Sequence, residues 1–262
     1  MFSDQMRMML EKNQVAEVIC QLRFPEILLI DSKSPADFQE AIREDYPQYS
    51  VRKEQPAPKV MAQNGNTAVQ KQDPINNYAF ISEDGAWRVN LTSSFISLSC
   101  AHYTSWESFA RMLDKPLAAF IQVYKPAYFS RIGLRYVNFI SRKALDLEDV
   151  PFRDLISPTY LGPLADSDVA DTGTVKCSID ADVAIRGGCR AKIHAGPGMV
   201  KRNGQTDQEV KFIFDLDLFM NDKVPLNTST AVLNTLHGQA WPIFRDAITD
   251  TLYNAMEPEL IL

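Results

Sequence analysis

The strongest constraint on the fold comes from a pair of β-prone runs that lie far apart in the chain. Val18–Phe24 reads VICQLRF and Arg131–Val137 reads RIGLRYV, and each contains the order Leu, Arg, aromatic residue. Both runs have the alternating pattern of a strand that buries one face. We therefore interpret them as equivalent first strands of two related units.

The same order of elements is predicted after each run: a helix, three strands and a long helix. In the first unit, residues 15–125, the strands are YAFISE, AWRVNLT and FISLSCA, and the long helix starts with a capping box from Thr104 to Glu107. In the second unit, residues 126–257, the strands are VKCSIDADVAI, CRAKIHA and VKFIFDLDLF, and a helix is predicted over 229–255. The order of elements, rather than residue identity, supports the repeat.

Two units of this kind can share one sheet if their first strands pair. We predict an α+β fold for residues 1–262 as a single domain, in which two tandem β-α-βββ-α units share a curved antiparallel sheet with helices on its convex face. This arrangement resembles that of the TATA-box-binding protein, and the likeness of fold carries no function. The strands that contain Arg23 and Arg135 should be neighbours at the centre of the sheet. The polar stretch 50–77 is predicted to be a long loop, and one edge strand within it is left open.

Composition and charge narrow the classes of partner. The formal charge of −6 gives no general attraction to nucleic acid or to an anionic membrane, so a membrane partner is not expected, and nucleic acid is left open only through a local basic patch. The sequence has no apolar run of about 18 residues and no secretory apolar segment at its start, which predicts a cytoplasmic protein. The four cysteines are widely spaced in apolar runs, which predicts reduced core residues. Composition leaves the oligomeric state open.

Several segments resemble one family of bacterial proteins of similar length. These segments are EVICQLRFPEIL near the start, WRVNLTSSFISLS and YTSWESF in the middle, and YFSRIGLRYVNFI after them. The resemblance is good over residues 13–165 and weaker beyond. The family is sporadically distributed and uncharacterised, so the resemblance implies no catalytic residues. Its patchy distribution would suit an accessory role in bacteria, such as phage defence or a toxin–antitoxin pair.

Strand alternation sorts polar residues onto the face of the predicted sheet that turns away from the helices. Thr92, Asp215 and Asp217 are expected on this face. The residues that we single out there as candidates for binding a ligand or partner are Arg23, Arg88, Asn90, Arg135, Arg190, Lys192 and His194.

Two interpretations of this polar face are open. A one-sided antiparallel sheet always presents a polar face to water, and arginines opposite Asp215 or Asp217 would form ordinary cross-strand pairs. Alternatively, the central arginines bind a protein partner or a small anionic ligand, because guanidinium groups hold carboxylate and phosphate through two hydrogen bonds. We take the second interpretation, a non-catalytic binding protein, as the leading hypothesis.

The competing hypothesis is an enzyme, a metal-dependent hydrolase or nuclease that uses Asp215, Asp217 and His194. The two carboxylates lie on one strand face, but no third carboxylate or histidine lies near them in the sequence. The spacing of His194 from Cys177 and Cys189 does not match paired zinc ligands. No cofactor motif is recognised, so the sequence predicts neither a metal nor a cofactor.

Overall fold

A large antiparallel sheet with helices on one side dominates the fold. The structure is a computed structural model that describes the backbone of residues 8–55, 59–63, 66–70, 73–202 and 205–260. Residues 1–7, at the start of the predicted single domain, lie outside the described residues.

The elements follow one another in the order of an α+β protein. The strands are β1 Met8–Leu10, β2 Val15–Arg23, β3 Gln48–Glu54, β4 Lys59–Gln63, β5 Asn66–Gln70, β6 Ile75–Ile81, β7 Trp87–Leu91, β8 Phe95–Cys100, β9 Arg131–Ile140, β10 Ile179–Ala184, β11 Arg190–Arg202, β12 Gln205–Met220 and β13 Pro258–Leu260. The α-helices are α1 Leu28–Ser32, α2 Ala36–Ile42, α3 Trp106–Tyr124, α4 Ser229–Ala247 and α5 Asp250–Ala255. Short 3-10 helices lie at Lys143–Leu145, Phe152–Asp154, Pro158–Tyr160, Gly162–Ala165, Arg186–Gly188 and Leu226–Thr228.

The main sheet contains nine strands from the described part of the chain, in the order β10-β11-β12-β9-β2-β8-β7-β6-β3. Neighbouring strands pair antiparallel throughout. β2 and β9 are therefore central neighbours, and the predicted pairing of the strands that contain Arg23 and Arg135 is confirmed. β1 pairs with β13, and β4 pairs with β5, in separate two-stranded sheets.

The strands on either side of the β2–β9 pair follow the same order. They run β2–β8–β7–β6 on one side and β9–β12–β11–β10 on the other, so each first strand pairs with the last strand of its meander. The halves differ elsewhere. β3, which begins just before the stretch 50–77, is the edge strand that the sequence allowed for beside the predicted loop, and its backbone pairs with β6 over seven residues.

Between β9 and β10 the structure has 3-10 helices where an α-helix was predicted. Pro151, Pro158 and Pro163 punctuate this segment. Each proline lacks a backbone N–H and restricts the residue before it, so a continuous α-helix cannot form there. The predicted β-α-βββ-α order is therefore wrong in detail for the second half.

α3 and α4 cover the same face of the sheet. The indole Nε1 of Trp106 donates a hydrogen bond of 3.1 Å to Oδ1 of Asn234, so the two helices touch. Beneath them lie side chains of β2 and β9 that are at most 8% exposed, namely Val18, Cys20, Leu22, Ile132, Leu134 and Tyr136. Burying each aliphatic side chain contributes about 1.5–3 kcal/mol. A slip of one residue would expose the whole set, so this alternation fixes the strand register.

The ends of the two long helices differ slightly from the predicted ones. The N-cap of α3 is Ser105, whose Oγ accepts a hydrogen bond of 3.2 Å from the N–H of Ser108, so the capping box predicted at Thr104 is wrong by one residue. The single helix predicted over 229–255 is two helices, because the side chain of Thr249 caps a new helix, α5.

Cys20, Cys100 and Cys189 are buried, as the sequence predicted, whereas Cys177 is half-buried. All four cysteines are free thiols, and burial raises the pKa of Cys20 to about 12, so this thiol stays protonated near neutral pH. No helix in the described ranges is long and apolar enough to span a lipid bilayer.

Candidate binding face

The face of the main sheet that turns away from α3 and α4 carries the predicted polar residues, and we call it the open face. Strand register arranges its residues in rows that cross the sheet. One row contains Ile81, Arg88, Ser99, Ile19, Arg135, Asp217, Lys192 and Asp182. The next row contains Ala79, Asn90, Ser97, Gln21, Gly133, Phe219 and Arg190. We call the part on β2, β6, β7 and β8 the first half, and the part on β9 to β12 the second half.

In the second half, arginines of β9 bind carboxylates of β12. Arg135 donates two hydrogen bonds to the carboxylate of Asp215, of which the one from Nε is 2.7 Å long. This contact raises the pKa of Arg135. Nη2 of Arg131 lies 3.0 Å and 2.8 Å from the two carboxylate oxygens of Asp217. Both arginines are thus neutralised within the protein.

The outer strands of the second half are also paired in charge. Arg190 donates hydrogen bonds of 2.9 Å and 2.6 Å to Asp182, and the ammonium group of Lys192 lies 3.9 Å from the same carboxylate. Nδ1 of His194 lies 2.8 Å from Oδ1 of Asp180. A depression of about 410 Å³ opens among these side chains and those of Arg135, Asp215 and Asp217.

Arg131 reaches Asp217 by lying along its own strand. A Cβ atom on Gly133 would come within 2.3 Å of the Arg131 guanidinium, so only glycine leaves room for this path. The guanidinium carbon lies 4.6 Å from the ring centre of Phe219, which is 3% exposed although it points to the open face. Arg131 therefore pairs with an anion and covers an apolar ring at once.

The first half of the open face is mostly neutral and has small side chains. The amide Nδ2 of Asn90 donates a hydrogen bond of 2.6 Å to Oδ1 of Asn77. Ser97 lies between Asn90 and Gln21 in the row, and Ala79 flanks Asn90 on the other side. Asn90 and Gln21 are half-buried, whereas Ser97, Ala79 and Asn77 are buried, so the neutral polar groups that reach solvent here belong to Asn90 and Gln21.

Arg23, the last residue of central strand β2, is the exception. It lies opposite Arg131 across the β2–β9 pair, and its Nε donates a hydrogen bond of 2.9 Å to the side chain of Gln21. No described carboxylate forms an ion pair with it. Partial burial, and then the charge of Arg131, lower the pKa of Arg23. Like charges directly opposite each other in a sheet are destabilising, so Arg23 lacks the compensation that Arg131 and Arg135 have.

The structure brings most of the predicted site residues together but separates the two central arginines. Arg88, Arg135 and Lys192 share one row, and Asn90 and Arg190 share the next. His194 follows in the row of Asp215 and Asp180.

Arg23 faces Arg131, whereas Arg135 faces Ile19. The two predicted partners, Arg23 and Arg135, are therefore on the order of 14 Å apart along the strands. Thr92, expected on the open face, is fully buried because its hydroxyl accepts hydrogen bonds from backbone N–H groups in the turn between β7 and β8.

The carboxylates proposed for metal-dependent catalysis are already engaged. Asp215 holds Arg135 and Asp217 holds Arg131, while His194 turns to Asp180. Within the described residues, no group of three or more His, Cys, Asp or Glu side chains is arranged to hold a metal ion. Asp215, Asp217 and His194 line one depression, but each of them is paired there with another charged side chain.

Comparison with other proteins gives no indication of function, so the function is inferred from the geometry of the site. No protein-family model and no curated protein matches the chain.

Sequence reasoning did not single out three residues that shape this face. Arg131 and Gly133 follow the same alternation as Arg135, but only the register shows that Arg131 is the residue that faces Arg23. Phe219 follows the same alternation as Asp215 and Asp217, which assigns it to the open face, but only the structure shows that it lies under Arg131. The alternation of Asp180 and Asp182 in the sequence of β10 does indicate a strand with one charged face, and this signal was missed.

Proposed function

We propose that the protein is a non-catalytic binding protein whose open face holds an anionic group, either a carboxylate or a phosphate, presented by a protein partner or by a small ligand. The observation that supports this proposal is Arg23, a guanidinium at the end of central strand β2 that forms no ion pair with any described carboxylate, although the charge of Asp217 acts on it from a distance. Guanidinium groups bind both anions through paired hydrogen bonds. An anion at this place would also relieve the repulsion between Arg23 and Arg131.

The surroundings of Arg23 support the same assignment. Half-buried Gln21 and Asn90 supply neutral polar groups in the row next to Arg23, and exposed Arg88 lies one row further away without an ion pair to any described carboxylate. The remaining candidates, Arg135, Arg190, Lys192 and His194, are each held by an aspartate. In this proposal they form the rim of the contact rather than its centre.

The architecture and setting of the protein belong to the same proposal. We take residues 15–125 and 126–257 as tandem units of one domain that share a curved sheet, as in the TATA-box-binding protein; the matching strand order of the two halves supports this. A cytoplasmic location and an accessory role in bacteria, in phage defence or in a toxin–antitoxin pair, rest on the sequence and its family resemblance alone.

The test is a thermal-shift titration with pyrophosphate and with a hexaglutamate peptide at low ionic strength. A ligand at 100 times its Kd adds about 2.7 kcal/mol to the free energy of unfolding. We expect one of these probes to raise the melting temperature of the wild type, and Arg23→Ala to lose that rise. Arg43→Ala is the matched control, because Arg43 is an exposed arginine that pairs with Glu40 outside the open face. An equal rise in all three proteins would overturn the site, and no rise with either probe would overturn the ligand class.

A further inference from the structure

A second site is suggested by a cavity on the covered side of the sheet. The cavity has a volume of about 120 Å³ and lies between the sheet, α4 and the short strand β1. Its walls are mostly apolar and include Met8, Met9, Leu216, Ala240 and Phe244. A dry apolar cavity of about 150 Å³ binds benzene. This space is slightly smaller but opens towards solvent beside Met9, which is 48% exposed, so it suits at most one small, flat molecule.

Polar groups in the wall of this cavity are held in fixed orientations. Nδ1 of His237 lies 2.8 Å from the hydroxyl oxygen of Tyr136, and the imidazole stacks on Trp106 with ring centres 4.5 Å apart. Asn138, which is 4% exposed, is anchored by a hydrogen bond of 3.0 Å from its Nδ2 to the carbonyl oxygen of Phe214. Pre-oriented polar groups in an otherwise apolar cavity are typical of small-molecule sites, because they set the orientation of the ligand.

The position of the cavity connects elements from both halves of the chain. Val15 from β2, Tyr136 from β9 and Ser105 before α3 all contribute to its lining. On one side it is closed by β1, which pairs only with β13 and whose Met9 is 48% exposed. A ligand there would contact the two central strands from the side opposite to the open face.

We infer that this cavity is a binding site for a small, flat, mostly apolar molecule that carries one hydrogen-bonding group, of the size of indole or phenol. The apolar walls contact the ring, and the polar side chains of Tyr136, His237 and Asn138 form hydrogen bonds with the polar group of the ligand. The inference does not depend on the proposed function of the open face, since the two sites lie on opposite faces of the sheet and share no residue.

The probe for this site is indole, followed by methionine methyl NMR on the full chain. Met8 and Met9 line the cavity, whereas Met112 and Met256 lie outside its lining and serve as internal controls. We expect saturable shifts of the Met8 and Met9 methyl signals with little change at the controls. The absence of such shifts at millimolar indole would overturn the inference.

A pair of matched variants tests whether indole binds in this cavity, and a modified indole tests the contribution of its N–H group. Ala240→Leu fills the cavity from α4 and should weaken indole binding more than tenfold, while Ala231→Leu, at an exposed position of the same helix, should leave it unchanged. If Ala240→Leu does not fold, the more adaptable Ala240→Met takes its place. N-methylindole, which keeps the ring but lacks the N–H donor, should bind several-fold more weakly. Unchanged affinity in the filled variant, or equal affinity for the two indoles, would contradict the assignment.

Discussion

The two halves of the open face are built from equivalent strands but differ in whether their arginines form ion pairs. In the second half, Arg131, Arg135 and Arg190 each contact an aspartate of the neighbouring strand. In the first half, Arg23 and Arg88 form no ion pair with any described carboxylate. One backbone arrangement therefore supports a self-neutralised surface beside one with uncompensated positive charge.

This difference separates charges that hold the sheet together from charges that are available to a partner. A guanidinium with a bidentate aspartate must give up that contact before it can bind an external anion. Arg23 has only a neutral amide to release, and it gains relief from Arg131 when an anion arrives. The contrast predicts that substitutions in the second half affect mainly stability, and that those near Arg23 affect mainly binding.

The largest expected effect is that of Arg131→Ala. It removes two charge-assisted hydrogen bonds to Asp217 and uncovers Phe219. Both side chains of the pair are less than a third exposed, so we expect a loss of about 1.5–3 kcal/mol in the free energy of unfolding. Urea denaturation measures this loss in the free energy of unfolding. Arg131→Lys is the matched variant, because it keeps the positive charge but lacks the guanidinium group that forms the two hydrogen bonds. A loss below about 0.5 kcal/mol would show that this pair is ordinary surface charge.

A smaller loss is expected in the first half from Asn90→Ala. The substitution removes the hydrogen bond between the amides of Asn90 and Asn77, which is worth about 1 kcal/mol. Asn77 also donates a hydrogen bond to the carboxylate of Glu54, but Asn90→Ala leaves that contact in place, so the loss should change little between low and high salt. Urea denaturation at two ionic strengths checks this. A loss that depends on salt would contradict the contrast between a mostly neutral first half and a charge-paired second half.

The smallest effects on stability are expected for the two arginines that were predicted to act together. Arg135→Ala breaks a partly exposed ion pair and should cost about 0–1 kcal/mol, decreasing with salt. Arg23→Ala removes a charge that faces Arg131, so the free energy of unfolding should stay within about 0.5 kcal/mol of the wild type or rise slightly. If Arg23→Ala destabilises more than Arg135→Ala, Arg23 has a structural role instead.

Much of the architecture could be predicted from the sequence, because local signals and burial pointed the same way. The alternation in VICQLRF and RIGLRYV predicted which side chains are buried, and the pairing of β2 with β9 followed from the repeated order of elements. The 3-10 helices after β9 were missed because the helical pattern was weighed above the three prolines.

The site was harder to predict because it depends on register. Alternation assigns a side chain to a face but not to a row, so Arg23 was paired with Arg135 although the structure places it opposite Arg131. The long side chain of Arg131 passes over Gly133 to an aspartate that does not face it in the ladder. This path requires a glycine where the Arg131 side chain crosses the strand. The spacing of residues in the sequence does not show where that crossing lies.

The most direct measurement of the central contrast is NMR of the arginine Nε–H groups during titration with the anionic probe that raises the melting temperature. The Nε of Arg23 contacts only the neutral Gln21 side chain, whereas the Nε of Arg135 is bound to Asp215. We predict that the Arg23 signal moves first and furthest, in a saturable way, and that the Arg135 signal moves little. Equal shifts for Arg23 and Arg135, or a shift of Arg135 alone, would contradict the account.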